Sequence, residues 1–168
     1  MTISMYQASV PTFIRMLDNL AAILEKAAAH AEARKVDPAV LVASRLYPDM
    51  FPLSKQVQIA ADAALDGAAR LAQREAPVHE DIECSFPELV ARVRATIAYL
   101  ETLEAGLFDA AEDRIVTRKS RGATLSTPGM PYLLNHALPK FYFHATTAYA
   151  ILRHNGVELR KGDFLGKS

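Results

Sequence analysis

The chain of 168 residues has one cysteine, no tryptophan and no excess of charge of either sign. The lone Cys84 can form no intramolecular disulfide, and no second thiol is present to build a cysteine-rich zinc site. Nineteen basic residues balance nineteen acidic ones, so there is no overall positive field to attract nucleic acid or anionic lipid. We therefore expect neither a disulfide scaffold nor a nucleic-acid partner.

Long apolar runs and a secretory N-terminus are also missing. No uninterrupted stretch approaches the roughly 20 apolar residues needed to span a bilayer. Residues 1–6 lack a basic region followed by an apolar core, so no signal peptide and no membrane association are expected. With 51% hydrophobic and 23% charged residues, the chain is predicted to form one globular domain, residues 1–168, in the cytoplasm.

Apolar residues recur at steps of three and four in four long segments. Their stripes run from Val10 to Ala31, Val57 to Leu71, Leu89 to Leu107 and Leu134 to Leu152. Ser85 and Glu88 have the spacing of a capping box ahead of the third helix. Pro139 is predicted to split a short turn from the fourth, and Gly156 to end that helix. Because the stripes must bury one another, the chain is predicted to be an all-α four-helix bundle.

The helical pattern lapses between the third and fourth helices, from Asp109 to Met130. Residues 115–117 and 123–125 flank a glycine-containing turn, which predicts a short hairpin or an irregular loop. A basic run crosses this connection and could bind an anion, although solvated loop charge is the favoured interpretation. The run consists of Arg114, Arg118, Lys119 and Arg121.

His144 stands among aromatic residues on the predicted inward stripe of the fourth helix. The favoured interpretation is a core histidine hydrogen-bonded to a neighbouring helix. The alternative is a ligand or general base that faces a pocket in the bundle. Its companions would come from Tyr142, Thr147, Tyr149 and either Gln56 or Gln58, with Asp62 and Asp66 as carboxylates that more often form a solvated face.

The other histidines offer no metal site by their spacing. No glutamate lies three residues before any histidine, as a di-iron bundle would need, and no two histidines lie three or four residues apart. On an ideal helix His136 and His154 are each about 80° from His144, so we expect no shared face. Cys84 precedes the third helix, whose N-terminus would lower the thiol pKa, but an inert cysteine is favoured.

Two segments carry a resemblance to a known family. They are Phe51-Pro52-Leu53 with Gln56-Val57-Gln58 after it, and Leu138 to His144 continuing through Tyr149 to Gly156. By these motifs the whole chain resembles a bacterial family of unknown function in the DinB/YfiT-like superfamily of metalloenzymes. The resemblance implies an up-down four-helix bundle, often a homodimer. Some superfamily relatives hold nickel, zinc or manganese with three histidines, and some are thiol-dependent transferases or hydrolases.

The three-histidine set carries over only in part. With Leu152 to Gly156 as the anchor, His144 falls at the second ligand of the fourth helix and Lys140 at the first. The second-helix ligand falls at Gln58 or Gln56. Ammonium and amide groups are poor ligands for nickel or zinc. The residues therefore predict no metal centre and no cofactor; if a metal binds at all, His144 is its ligand.

Three functions remain open at this point. The first is a protein that binds a small molecule in a bundle pocket formed by His144, Tyr142, Gln58, Lys140 and Tyr149. The second is a divergent metal-dependent enzyme of the hydrolase or thiol-transferase type. The third is a non-catalytic, dimeric structural or stress-related interaction protein. The expected partners are accordingly a small-molecule ligand and a second copy of the chain.

Overall fold

The computed structural model describes residues 3–120 and 122–166, and it is mostly helical, as predicted. The helices are α1 (Met5–Arg34), α2 (Pro38–Val42), α3 (Leu53–Ala72), α4 (Phe86–Glu101), α5 (Gly129–Tyr132), α6 (Leu138–His154) and α7 (Lys161–Leu165). A 3₁₀ turn (Ala105–Phe108) follows α4, and a π-helical turn (Leu133–Ala137) joins α5 to α6. Across the described ranges, no helix combines the length and apolarity needed to cross a membrane.

The four long helices α1, α3, α4 and α6 share one hydrophobic core. The most extensive packing is between α3 and α6 and between α1 and α4. Phe13 of α1 meets Phe141 of α6 edge to face, with ring centroids 5.1 Å apart. Helices α3 and α6 are antiparallel, because Gln56 lies beside His144 while Gly67 lies beside Ala137. The apolar stripes of the sequence thus face one another, as their spacing predicts.

The connection between α4 and α5 contains the predicted hairpin. Strand β1 (Ile115–Ser120) pairs antiparallel with β2 (Ala123–Pro128). Within these two strands only Val116 is buried. The hairpin is therefore attached to the helices by few apolar contacts and leaves most of its side chains exposed.

The helical path from Gly129 to His154 differs from the prediction at Pro139. This proline does not divide the fourth helix; it lies in the first turn of α6, and the backbone is helical on both sides of it. The irregularity is instead the π-helical turn before it. A π-turn closes with i→i+5 hydrogen bonds, so it holds one residue more than an α-turn and changes which side chains share a face.

Capping and ion pairs fix the remaining connections. Ser85 and Glu88 form the predicted capping box at the start of α4. The polar tail contains α7, which packs along α1 and pairs Asp163 with Lys26 at 2.5 Å. In the linker between α3 and α4, Glu83 is held by Arg92, whose Nη1 donates to its carboxylate at 2.9 Å.

Candidate functional site

A cleft of about 650 Å³ lies between α3, the hairpin and the segment that runs from α5 into α6. Its volume falls within the range of small-molecule sites in proteins. Three chain segments that are distant in sequence contribute to it. The lining consists of Ala63, Asp66 and Arg70 of α3, residues 117–120 and Thr124 of the hairpin, and Tyr132, His136, Ala137 and Lys140.

Arg70 fixes the position of the hairpin relative to α3. Its guanidinium Nη1 donates a hydrogen bond of 2.8 Å to the backbone carbonyl of Thr117. The same guanidinium lies 3.9 Å from the carboxylate of Asp66, one turn earlier on α3. Because residues 63, 66 and 70 lie on one face of the helix, α3 presents a small side chain, an acid and a base to the cleft.

The cleft carries a local excess of positive charge in a chain whose overall charge is zero. Arg118, Lys119 and Lys140 line it, and none of the three has a carboxylate within 4 Å among the residues that the structure describes. Asp66 is the acidic side chain of the lining. This arrangement favours an anion.

His136 sits among these cations as a half-buried imidazole. Burial lowers its pKa, and the positive charges of Arg118, Lys140 and Arg70 lower it further. Both causes disfavour the protonated ring, so the neutral form, with one N–H donor and one acceptor, is stabilised.

Tyr132 lies beside His136 and contributes a phenol to the cleft. The two rings are 5.7 Å apart and tilted by 34°. Only 4% of Tyr132 is exposed, and its hydroxyl has no hydrogen-bond partner within the described part of the chain. Burial raises the pKa of the phenol, and the charges of Arg70, Asp66 and Arg118 also act on it. All three of these charged residues line the cleft with Tyr132.

His144 lies on α6 one turn after Lys140 and contacts α3. Its Nδ1 is 2.7 Å from Oε1 of the buried Gln56, whose Nε2 donates to the carbonyl of Phe51 at 3.1 Å. A carbonyl can only accept, so the amide nitrogen must face Phe51 and the amide oxygen must face the imidazole. The network thus assigns the proton of His144 to Nδ1 and the lone pair to Nε2. This is the hydrogen bond to a neighbouring helix that the favoured interpretation predicts.

The structure does not bring the five predicted site residues together. Lys140 lines the cleft and His144 follows one turn later, but Gln58 donates to Glu83 at 2.8 Å on another face of α3. Residues two apart on a helix point about 200° from each other, so Gln56 and Gln58 cannot both reach α6. The grouping of Gln58 with His144 was therefore wrong, and Gln56 is the residue that meets it.

Both predicted tyrosines also lie elsewhere. Tyr142 borders a shallow groove with Pro139 and Phe143, and burial raises its pKa. Tyr149 packs edge to face against Phe164 of α7, at 5.9 Å between ring centroids. Neither lines the cleft, since helix positions 142 and 149 do not share the face of Lys140.

The sequence held partial signals for the residues that do line the cleft. Of the basic run, Arg118 and Lys119 are in the lining, whereas Arg114 donates to the backbone carbonyls of Leu107 at 2.9 Å and Asp109 at 3.0 Å. The fourth member of the run lies outside the described residues. His136 was set aside because an ideal helix turns it away from His144, and the π-turn could not be read from the spacing.

The residues of this chain do not fit the three-histidine metal set of superfamily relatives. Where His144 stands, the amide oxygen of Gln56 is already engaged by Nδ1, and Lys140 occupies the preceding turn. In residues 3–120 and 122–166, no three or more His, Cys, Asp or Glu side chains are placed to hold a metal.

Cys84 is also unsuited to reactive chemistry. Its Sγ lies 3.4 Å from the Glu88 carboxylate, and this hydrogen bond, followed by the negative charge, raises the pKa of the thiol. The direction is opposite to the lowering expected from a helix N-terminus, because the capping carboxylate contacts the sulfur. The thiolate is disfavoured, in agreement with an inert cysteine.

The histidine environments predict a stability that depends on pH. The pKa of His144 is lowered by burial and then by the positive charge of Lys140. The pKa of His136 is lowered as well, for the reasons given above. The unfolded chain, with ordinary histidine pKa values of about 6.5, then binds more protons than the folded chain. We expect the free energy of unfolding to fall as the pH decreases from about 7.5 to about 5.5, measured by urea denaturation.

The variants His144→Gln and His136→Gln should each reduce this dependence on pH. His154→Gln removes an exposed histidine from the end of α6 and is the matched control, since His154 neither lines the cleft nor contacts Gln56. A double variant of His144 and His136 that keeps the full dependence would contradict the assignment.

Comparisons with known proteins place this fold among helical relatives. The model of a family described as a domain of unknown function, DUF1993, matches residues 5–165. The crystal structure of a DinB family member protein from Shewanella denitrificans is 44% identical, with 97% of this chain and 92% of that chain covered and a TM-score of 0.92. No curated protein matches the chain. The first two findings agree with the resemblance indicated by the sequence motifs.

Proposed function

From the premise that the chain belongs to the DUF1993 family of DinB-like proteins, we propose that it binds a small molecule in the cleft between α3, the hairpin and α6. We interpret the four long helices as the up-down bundle of the DinB/YfiT-like superfamily. A cytoplasmic homodimer without a resident metal remains our expectation.

The observation that carries this proposal is the lining of the cleft around Tyr132. The residue is packed into the structure and only 4% exposed, and the cavity that it lines has a volume of about 650 Å³. No described protein group accepts from or donates to its hydroxyl, so a bound molecule can form that hydrogen bond in place of water.

The position of the cleft supports the same function. It lies between separate elements, and its walls combine apolar surface from Ala63 and Ala137 with converging polar groups. Binding sites in proteins typically have this composition. Compared with the site predicted from the sequence, the proposed site keeps Lys140 and replaces the other four residues.

The test is a ligand screen by thermal unfolding with the Tyr132→Phe variant. Since the hydroxyl makes no described hydrogen bond, the variant should be as stable as the parent protein. Compounds that raise the melting temperature of the parent should bind the variant about fivefold more weakly, the value of one hydrogen bond of about 1 kcal/mol.

Tyr149→Phe is the matched control, because this tyrosine packs on α7 and lies outside the cleft. It should leave binding unchanged. Treatment with EDTA should also leave binding unchanged, whereas loss of binding after chelation would favour the divergent metalloenzyme. If every compound binds Tyr132→Phe and the parent equally, the cleft is not the site.

A further inference from the structure

We propose that the molecule bound in the cleft carries a phosphate monoester, held by Arg118, Lys119 and Lys140 together with the hydroxyl of Tyr132. This inference rests on the proposed function of the cleft and specifies the chemical class of its ligand.

The charge of the lining is not balanced by carboxylates. Elsewhere in the described structure Lys26, Lys55, Arg92 and Arg94 each form an ion pair, while Arg15 and Arg114 donate to backbone carbonyls. In the cleft the carboxylate of Asp66 lies 3.9 Å from the guanidinium of Arg70. The other three cations, Arg118, Lys119 and Lys140, have no carboxylate within 4 Å in the described ranges. Like charges that converge on one cavity repel one another, and a bound dianion removes this repulsion.

Arg118 carries an orphaned donor. Its Nε is buried and has no hydrogen-bond partner among the described residues, although the side chain lines the cleft. A buried guanidinium N–H without an acceptor is unfavourable, and a rotation of the side chain toward the cavity would let an oxyanion accept from it.

The number and kind of donors in the lining suit a phosphate group. Ser120, Thr124 and Tyr132 add hydroxyls to the three cations, while the hydroxyl of Thr117 is 3.2 Å from that of Ser126. A phosphate monoester has three terminal oxygens and a charge of about −1.5 to −2 at neutral pH. A carboxylate has two oxygens and a single charge. The lining matches the phosphate in both charge and donors.

His136 provides a reporter of the bound anion. In the free protein three cations from three elements act on its ring: Arg70 of α3, Arg118 of β1 and Lys140 of α6. Of the other groups that face the cavity, Lys119 adds positive charge, Asp66 opposes it, and Tyr132 is a neutral phenol. A dianion placed among them attracts a proton to the imidazole, so the pKa of His136 should rise when phosphate binds.

The experiment is an NMR titration of the full chain with phenyl phosphate and with inorganic phosphate at constant ionic strength. The ring signal of His136, assigned with His136→Gln, should shift saturably. Arg118→Gln and Lys140→Gln should each weaken phenyl phosphate about tenfold, as expected for a charge-assisted hydrogen bond. Arg153→Gln, which removes one positive charge from the exposed surface of the same helix, should change the affinity less than twofold.

Three results would overturn the inference. The first is no saturable shift of His136 at tens of millimolar phosphate. The second is equal weakening by Arg153→Gln, which would mean nonspecific attraction. The third is tighter binding of phenylacetate than of phenyl phosphate, which would assign a carboxylate to the cleft. In the first and third cases, screened compounds that still depend on Tyr132 would preserve the proposed function; without any such compound both proposals fail.

Discussion

Replacing Arg92 with methionine is expected to lower the free energy of unfolding by about 3 kcal/mol, although the residue does not line the cleft. Its side chain is only 1% exposed. Its Nη2 donates to Asp62 at 2.6 Å and lies 3.5 Å from Asp81, and its Nη1 donates to Glu83 at 2.9 Å. Methionine preserves the volume of the side chain and removes the charge.

The expected loss comes from the carboxylates that would remain. Glu83, 12% exposed, would keep its negative charge in a nearly buried position without the guanidinium. Asp62 and Asp81 are more than one third exposed, so water would compensate them in part. The linker at residues 73–85 would also lose one of its attachments, since Nη1 of Arg92 contacts the carbonyl of Glu80 at 3.3 Å.

Arg94 is the matched control for this experiment. It lies two residues further along α4, is 47% exposed, and pairs with the exposed Asp18 and Glu25 of α1. An exposed ion pair contributes little, so Arg94→Met should change the free energy of unfolding by about 0.5 kcal/mol or less. Because the chain has no tryptophan, urea denaturation should be followed by circular dichroism. Equal losses for the two variants would contradict the role of the buried cluster.

Gly129→Ala is the second change with a large expected effect, a loss of about 3 kcal/mol of unfolding free energy. A Cβ at this position would lie 1.9 Å from the carbonyl oxygen of Ala111 and 3.1 Å from Cδ2 of Leu71. The first atom belongs to the backbone and cannot move aside as a side chain could. The following residue, Met130, is tied to the same loop by a hydrogen bond of 2.9 Å to the Glu112 carbonyl.

Gly106→Ala provides the comparison, because no atom lies within 4 Å of the Cβ that it would add. We expect a change within about 0.5 kcal/mol. Gly129→Ala should also weaken binding in the cleft, since Tyr132 follows three residues later on the same short helix. If Gly129→Ala unfolds at the same urea concentration as the parent, the close approach to Ala111 is not a constraint.

Most of the fold could be predicted from the sequence because burial imposes a period. Residues such as Phe13, Leu89 and Phe141 recur at helical steps and are fully buried where four helices meet. The hairpin was predictable from its flanking strand residues and its turn. The end of the third predicted helix, α4, could not be predicted. Its apolar stripe continues to Leu107, but the α-helix ends at Glu101 and a 3₁₀ turn follows.

The site was less predictable, for two physical reasons. Its residues come from α3, the hairpin and α6, and no local pattern shows which segments will meet. In addition, the π-turn at residues 133–137 shifts the register between His136 and α6, so angles calculated for an ideal helix fail there. The sequence also left open whether Gln56 or Gln58 meets His144. Only the packing of α3 on α6 decides which face of α3 points inward.

The sparse attachment of the hairpin has a consequence for how the cleft moves. One wall is formed by α3 and α6, whose hydrogen bonds break only when the core opens. The other is formed by strands with a single buried residue, which can separate from the helices at a much smaller cost in free energy. Amide hydrogens in the strands should therefore exchange with solvent by local opening, and those in the helices by global unfolding. An occupied cleft would slow the first process and leave the second nearly unchanged.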